Sequence, residues 1–386
     1  MKFPNITPAF ALCGGNMKNY LGSSSGGGAR YCIKEVNRSL KSRAPMPYRT
    51  NILAMSTTSN DATVVKSGVM QDILYRIREC NKIPSSIIDD GIVDFEIDGK
   101  MVGKVTKQVA KLLCESVPKD DAIFIFHPEK KLLNLTDKAG NTIEERTDAV
   151  MTVMKKLKDD GVITGWRDEL YPVAQGFYDK PMLLVERAAA PFLGILQYGV
   201  HINGIVKDEH GKEKMWIARR SAQKSKYPGM TDQIVAGGQP AGLSLIENVV
   251  KECEEEAGIP ADLTMKNIQA VGAVSYECVE DSDLDLPVLS RVVLFNYDLE
   301  LPSDFQPIVV DGEVDEFFQW SVEEQLASMS RNFQNEMKPN CYLCVIDYLL
   351  RKGFISPDEP GYLDIFRELR SGSLEVGHHY FRRIKA

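Results

Sequence analysis

The chain has 386 residues, of which 44% are hydrophobic, 26% charged and 8% aromatic. At roughly 150 residues per domain this suits two domains, and it excludes a low-hydrophobicity disordered chain, a collagen-like repeat and a disulfide-dense miniprotein. The net charge of −8 averages two unlike parts: residues 1–54 hold Lys2, Lys18, Arg30, Lys34, Arg38, Lys41, Arg43 and Arg49 against Glu35 alone, and the rest is strongly acidic.

That basic head also carries Ser23-Ser24-Ser25 and Gly26-Gly27-Gly28. Acid-poor, basic and rich in small residues, it has the composition of an organellar transit peptide, and the alternative is a plain disordered tail. Import into the chloroplast is expected, with the mitochondrion or cytosol as alternatives. No apolar segment of about 7–15 residues marks a secretory signal, and no run of about 18 apolar residues marks a membrane span. The acidic body lacks the basic footprint of a nucleic-acid binder, so neither nucleic acid nor membrane is an expected partner.

After the head, residues 66–190 read as an α+β domain without a catalytic constellation. A helix is expected over 69–80, then strands 93–97 and 101–105 around Asp98-Gly99, a strong hairpin signal. A helix over 109–114, a buried strand over 122–126 and a helix over 149–157 follow. Residues 191–355 form the second expected domain, with 356–386 as an extension. Strands 198–206 and 215–219 make a hairpin, 232–236 is a short strand, and strands at 270–278, 288–299 and 313–320 precede a helix over 340–351. The expected class is α+β throughout. Eight cysteines are scattered and only Cys341 and Cys344 are paired as C-x-x-C; a structural zinc site wants about four ligands, so reduced core thiols are expected.

The densest chemistry lies between Gly237 and Ile259. Ser244 and Glu247 form a capping box that starts a helix, and Gly258 supplies the left-handed residue that ends it. At about 100° per residue, Ile246, Val249, Val250, Cys253 and Ala257 share one face, Glu252, Glu255 and Glu256 a neighbouring arc, and Glu254 points elsewhere. Carboxylates crowded on one arc repel, and a hard divalent cation such as Mg²⁺ or Mn²⁺ turns that repulsion into attraction; a solvated acidic face is the alternative.

The segment resembles the Nudix box, G-x5-E-x7-R-E-U-x-E-E-x-G-U with U aliphatic. Gly237, Glu252, Glu255, Glu256, Gly258 and Ile259 match, Lys251 replaces the arginine, and Cys253 fills the aliphatic slot. Leu243 stands where the first glutamate belongs. Around the box, Tyr198-Gly-Val-His-Ile-Asn-Gly204, Met215-Trp-Ile-Ala-Arg-Arg-Ser221, Tyr227-Pro-Gly-Met-Thr-Asp232 and Asp311-Gly-Glu-Val-Asp-Glu-Phe317 are similar to the subfamily related to thiamine pyrophosphokinases, which plants carry with a plastid extension. The resemblance implies an α/β/α sandwich with a mixed sheet behind an amino-terminal α+β domain. It also implies hydrolysis of thiamine diphosphate, and preferentially of its damaged oxo and oxy forms, to the monophosphate and phosphate.

On that reading Glu252, Glu255, Glu256 and the Gly237 carbonyl hold the metal, Mg²⁺ or Mn²⁺, and one of the glutamates takes the proton of the attacking water. Glu277 and Glu313 are reserve ligands or bases. Of Arg219 and Arg220, alternation along a strand turns one toward the phosphates, and Trp216 or Tyr276 stacks on a heterocycle. His201, His378 and His379 are expected to be structural or solvated. A small-molecule diphosphate is the expected partner. Rival readings are a Nudix pyrophosphatase for another nucleoside diphosphate derivative, such as ADP-ribose, and a catalytically silent binding module.

Overall fold

The structure is a computed structural model that describes residues 59–224, 226–281, 286–310 and 312–372; the basic head and the His378-His379 pair lie outside these residues. The first elements among the described residues are α1 (Ser59–Cys80), α2 (Ser85–Asp90), β1 (Ile92–Ile97) and β2 (Lys100–Thr106). Asp98 and Gly99 adopt φ values of 52° and 70°, so both central residues of the turn are left-handed, as a tight hairpin twist demands. Next come α3 (Lys107–Glu115), β3 (Phe124–His127), β4 (Leu132–Leu135) and α4 (Ile143–Asp159). The strands form a sheet in the order β2-β1-β4-β3.

Along β1, Val93, Phe95 and Ile97 alternate inward and meet Leu113 of α3 and Val150, Val153, Met154 and Leu157 of α4 in one core. α4 begins six residues before the expected 149, at a capping box made by Thr142 and Glu145. Its first turn carries Glu144, Glu145 and Arg146, which give no apolar periodicity to read. Strands β5 (Leu170–Val173) and β6 (Leu183–Glu186) then form a two-stranded antiparallel sheet whose inner residues join the same core.

The remaining strands are β7 (Leu196–Lys207), β8 (Glu213–Arg220), β9 (Thr231–Gln233), β10 (Val235–Gly238), β11 (Ile268–Asp281), β12 (Pro287–Glu300) and β13 (Val314–Ser321). They build a seven-stranded sheet, order β11-β12-β7-β8-β13, with β10 paired to β7 and β9 to β8. β12 runs parallel to β7 and the other pairs are antiparallel. The helices of this part are α5 (Leu245–Ala257), α6 (Ala261–Asn267), α7 (Val322–Ser328), α8 (Pro339–Arg351) and α9 (Tyr362–Glu368).

Each face of this sheet is covered. Val200, Ile202, Val206 and Trp216 pack with Val249, Cys253 and Ala257 of α5 on one side. On the other, Ile205, Met215, Ile217 and Val274 pack with Cys341, Tyr342, Val345 and Leu349 of α8 and with Ile73 and Ile77 of α1. The result is an α/β/α sandwich with a mixed sheet behind an α+β region. α1, first of the described elements, therefore packs with residues from the other end of the sequence. Both Cys341 and Cys344 are free, buried thiols.

Candidate active site

The site is built on the β10–α5 turn. Ser244 accepts the Glu247 N–H at 3.4 Å, and the Glu247 carboxylate accepts the Ser244 N–H at 2.8 Å. Gly258, at φ 62°, closes the helix with its N–H on the Cys253 and Glu254 carbonyls. Burying Val249, Cys253 and Ala257 against the sheet fixes the rotation of α5, and with it the direction of every carboxylate.

That rotation divides the three glutamates. Glu252 and Glu256 face the strand, whereas Glu255 is exposed, and so is Glu254. Glu252 is 9% exposed and packs on Gly237 so closely that a Cβ there would lie 2.3 Å from its Cδ. Glu256 accepts the Ala236 N–H at 2.9 Å. Lys251 donates to Glu252 at 3.2 Å and to Glu255 at 2.8 Å, so an ammonium already joins two carboxylates that would otherwise repel.

Burial pushes the Glu252 carboxyl above its ordinary value; Lys251 opposes this while Glu255 and Glu169 add to it. Burial raises Glu256 further, against the Ala236 N–H and with repulsion from Glu252, Asp232 and Glu313. Two carboxyls set against the backbone of β10, Glu252 with Lys251 beside it and Glu256 with the Ala236 N–H, are oxygen donors of the kind a hard divalent cation takes. Glu252 lies on the Gly237 backbone and Glu256 on the Ala236 N–H, while Glu255 is exposed at the rim, so the three glutamates are not drawn into one group.

Each of the other candidates has a defined place. Glu313 pairs with Lys224, and Arg167 lies 3.9 Å away. Burial pushes its carboxyl up, but Lys224 and the Arg167 and Arg187 guanidinium groups hold it below its usual range. Glu277 accepts from the fully buried Arg291 at 2.9 Å. Arg219 pairs with Glu316 at 2.6 Å and lies over Phe318, and Arg220 pairs with Asp232 at 2.7 Å. Trp216 is buried in the core between sheet and α5. Tyr276 is half-buried and its hydroxyl accepts from Asn340.

Among the described residues, His201, Asp232 and Cys341 are the group of three whose ligand atoms lie within 4.8 Å of one another. The Cys341 thiol donates to Asp232 at 2.7 Å, Arg220 and Lys338 flank the same carboxylate at 2.7 and 3.7 Å, and His201 is bonded to Gln233. Burial pulls His201 down to about 4, with Lys338 adding to this and Asp232 opposing it. Two cations already balance the one carboxylate, so the group is a filled ion-pair network and does not fit a metal ion.

Sequence reasoning missed the residues that the first region delivers. A Cβ on Gly238 would collide with the Tyr171 hydroxyl, 1.9 Å away, and lie 3.2 Å from Arg187 Cζ. Arg187 pairs with Glu169 at 2.9 Å and is stabilised as a cation by Tyr171, Glu169 and Glu252 against its desolvation. No motif marks Tyr171, Arg187 or Arg167. The signal is their position just before β7, visible only once β5 and β6 are folded back on the box.

Residues 197–341 match the family model described as NUDIX domain, and residues 72–197 match one described as a domain of unknown function, DUF4743. The chain is 42% identical over 306 residues to Nudix hydrolase 24, chloroplastic, of Arabidopsis thaliana, covering 79% of this chain and 80% of that one. It is 39% identical over 344 residues to Nudix hydrolase 20, chloroplastic, of the same plant, covering 87% of each. An uncharacterised Saccharomyces cerevisiae protein is 39% identical over 211 residues, 53% of this chain and 60% of that one. The chain belongs to the Nudix hydrolase family. It is a hydrolase acting on pyrophosphate bonds, in a family that generally uses divalent metal ions.

Proposed function

We propose that the chain is a Mg²⁺- or Mn²⁺-dependent diphosphatase of the thiamine-pyrophosphokinase-related Nudix subfamily, acting on thiamine diphosphate and preferentially on its oxo and oxy analogues. The observation that carries the hydrolytic reading is the pair Glu252, packed on the Gly237 backbone, and Glu256, bonded to the Ala236 N–H, both with carboxyls pushed up by burial. The thiamine assignment rests on the motifs flanking the box. By analogy with the names of the two Arabidopsis relatives, the working place is the chloroplast. The proposed organisation is a discarded head over 1–54, an α+β domain over 66–190, the Nudix domain over 191–355 and an extension over 356–386.

In the proposed reaction a water oxygen bonds to the terminal phosphorus, the bridging P–O bond breaks, and the bridging oxygen leaves with the monophosphate. A bound divalent cation supplies charge neutralisation and an acidified water. Glu252, Glu256 and the Gly237 carbonyl hold it, and Glu255 serves at the rim. One of these glutamates takes the water's proton, and burial makes a carboxyl the stronger base. Arg187, beside Gly238 and Glu252, places a fixed positive charge where diphosphate charge collects.

The test is phosphate release with Mg²⁺ from thiamine diphosphate, its oxidised analogues, ADP-ribose and a nucleoside triphosphate, by wild type, Glu255→Gln and Glu256→Gln. Release that falls at least 100-fold in Glu256→Gln, and is fastest for the oxidised thiamine diphosphates, is expected. Release indifferent to both substitutions would overturn the metal-hydrolase reading, and preference for ADP-ribose would overturn the thiamine assignment alone.

A further inference from the structure

A carboxylate outside α5 sits among cations at the edge of the box. Glu313 precedes β13; its Oε2 pairs with Lys224 Nζ, and its Oε1 lies 3.9 Å from Arg167 Nη1. The two cations come from unrelated segments, Lys224 from the loop between β8 and β9 and Arg167 from just before β5. A third, Arg187, attracts the same carboxylate and stands beside Gly238. Glu313 in turn repels Glu256, so this cluster and the glutamates of α5 act on one another.

The cations are held from behind by backbone. Arg220 donates from Nε to the Tyr227 carbonyl and from Nη2 to the Lys226 carbonyl, both at 3.0 Å, while it pairs with the buried Asp232. Tyr227 stands at φ 54°, a conformation that a non-glycine residue keeps only where its surroundings enforce it. The Ser221 N–H donates to the Glu313 carbonyl at 2.9 Å, which ties the loop of Lys224 to the backbone of Glu313. The Arg167 N–H donates to the Glu186 carboxylate at 2.8 Å. In front the side chains are open to solvent: Lys224 is 15% exposed, Glu313 37% and Arg167 44%.

An ion pair with this much exposure is weakly held, whereas phosphate oxygens carry more charge and accept from an arginine fork two at a time. A diphosphate that reaches the box is repelled by Glu313 if the carboxylate stays, and gains two cations if it turns away. Cations covered by their own counter-ion bind a ligand less tightly, in proportion to the fraction of molecules in which they are uncovered. Both Glu313 oxygens already face cations, which compete with a metal ion for them. Those cations also hold the carboxyl below its usual range, which makes it a poor base.

We infer that Glu313 is a removable counter-anion: it holds Lys224 and Arg167 in place in the resting enzyme, and the diphosphate of the substrate displaces it and takes both cations. Glu313 is thereby a positioning residue that weakens substrate binding, while Lys224 and Arg167 touch the phosphates. The inference rests on the box being the diphosphate site. It makes the amino-terminal region, through Arg167, one half of a clamp whose other half is the loop between β8 and β9.

Inorganic pyrophosphate is titrated calorimetrically into the full chain in EDTA, where the protein's own cations alone can hold it. Glu313→Gln is expected to bind it at least fivefold more tightly than wild type, and Lys224→Met and Arg167→Met at least fivefold more weakly. The gain from Glu313→Gln should fall to less than half when it is made on top of Lys224→Met, because one of the covered cations is then missing; plain repulsion would give the same gain in both backgrounds. Pyrophosphate bound no more tightly by Glu313→Gln, an equal gain in both backgrounds, or no measurable binding by the folded proteins would overturn the inference. So would a tenfold rise in the Mg²⁺ concentration for half-maximal activity of Glu313→Gln, which would mark a metal ligand. If the binding pattern holds and no substrate of the panel releases phosphate, the hydrolase reading fails and the counter-anion stands.

Discussion

Gly237→Ala tests the site without removing a single ligand atom. The added Cβ would lie 2.3 Å from Glu252 Cδ, 2.5 Å from Cγ and 2.6 Å from Oε1, whereas ordinary contact begins at 3.4 Å. The carboxyl must therefore retreat by about 1 Å, and a displacement of that size at a reacting centre costs on the order of 100-fold in rate, equivalent to about 2.7 kcal/mol of activation free energy. Position 237 does not carry a positive φ, so alanine meets no backbone strain and the fold should tolerate the change. The assay is kcat/KM for Mg²⁺-dependent phosphate release on the best substrate of the panel, with calorimetric unfolding in parallel. A roughly 100-fold loss with the melting temperature held within a few degrees is expected. Activity within threefold of wild type, in a protein that melts normally, would refute the claim that the Glu252 carboxyl works against the Gly237 backbone.

Other perturbations separate stability from chemistry. Arg220→Leu leaves the buried Asp232 with Lys338 as its remaining cation; breaking a buried pair of this kind costs about 3 kcal/mol, and a loss below 1 kcal/mol in urea unfolding would contradict the ion-pair role. Burial pushes Asp232 up, but Lys338 and Arg220 hold it at about 2, below its ordinary 3.8. The stabilisation is thus present above 3.8 and is lost as pH falls toward 2, so wild type should lose more stability between pH 5 and 2.5 than Arg220→Leu does. Ser244→Ala removes the α5 cap at a cost of about 1 kcal/mol, measurable as a small drop in melting temperature, with none seen if the capping box is idle. Because burial raises Glu252, protons compete with the cation there. The Mg²⁺ concentration for half-maximal activity should rise as pH falls through the raised Glu252 value and rise less in Glu252→Gln; the same pH dependence in both proteins would refute a Glu252–cation competition.

The start and end of α5 were legible from single residues because capping is a local event: Ser244, Glu247 and Gly258 act within their own turns. The hairpin at Asp98-Gly99 was legible for the same reason. Strands β4, β5 and β6 and helices α2, α6, α7 and α9 were not among the expected elements, since each is seven residues or fewer, too short for a period to establish itself. Their conformation is set by what they pack against.

The sequence by itself determined the chemistry on offer: a capped helix with three glutamates on one arc, preceded by a glycine pair, in a chain with a basic head and an acidic body. It could not decide which carboxylates are buried, because Glu252, Glu255 and Glu256 differ only by the rotation of α5, and that rotation is fixed by Val249, Cys253 and Ala257 finding their places on the sheet. Nor could it decide which cations remain near the box. Arg219 and Arg220 are drawn into pairs with Glu316 and Asp232, while Arg187, itself paired with Glu169, and Tyr171 arrive at Gly238 from a stretch of chain about fifty to seventy residues away. Charge pairing and burial act through space and are blind to sequence distance, so the tertiary structure alone decided how the first region completes the site.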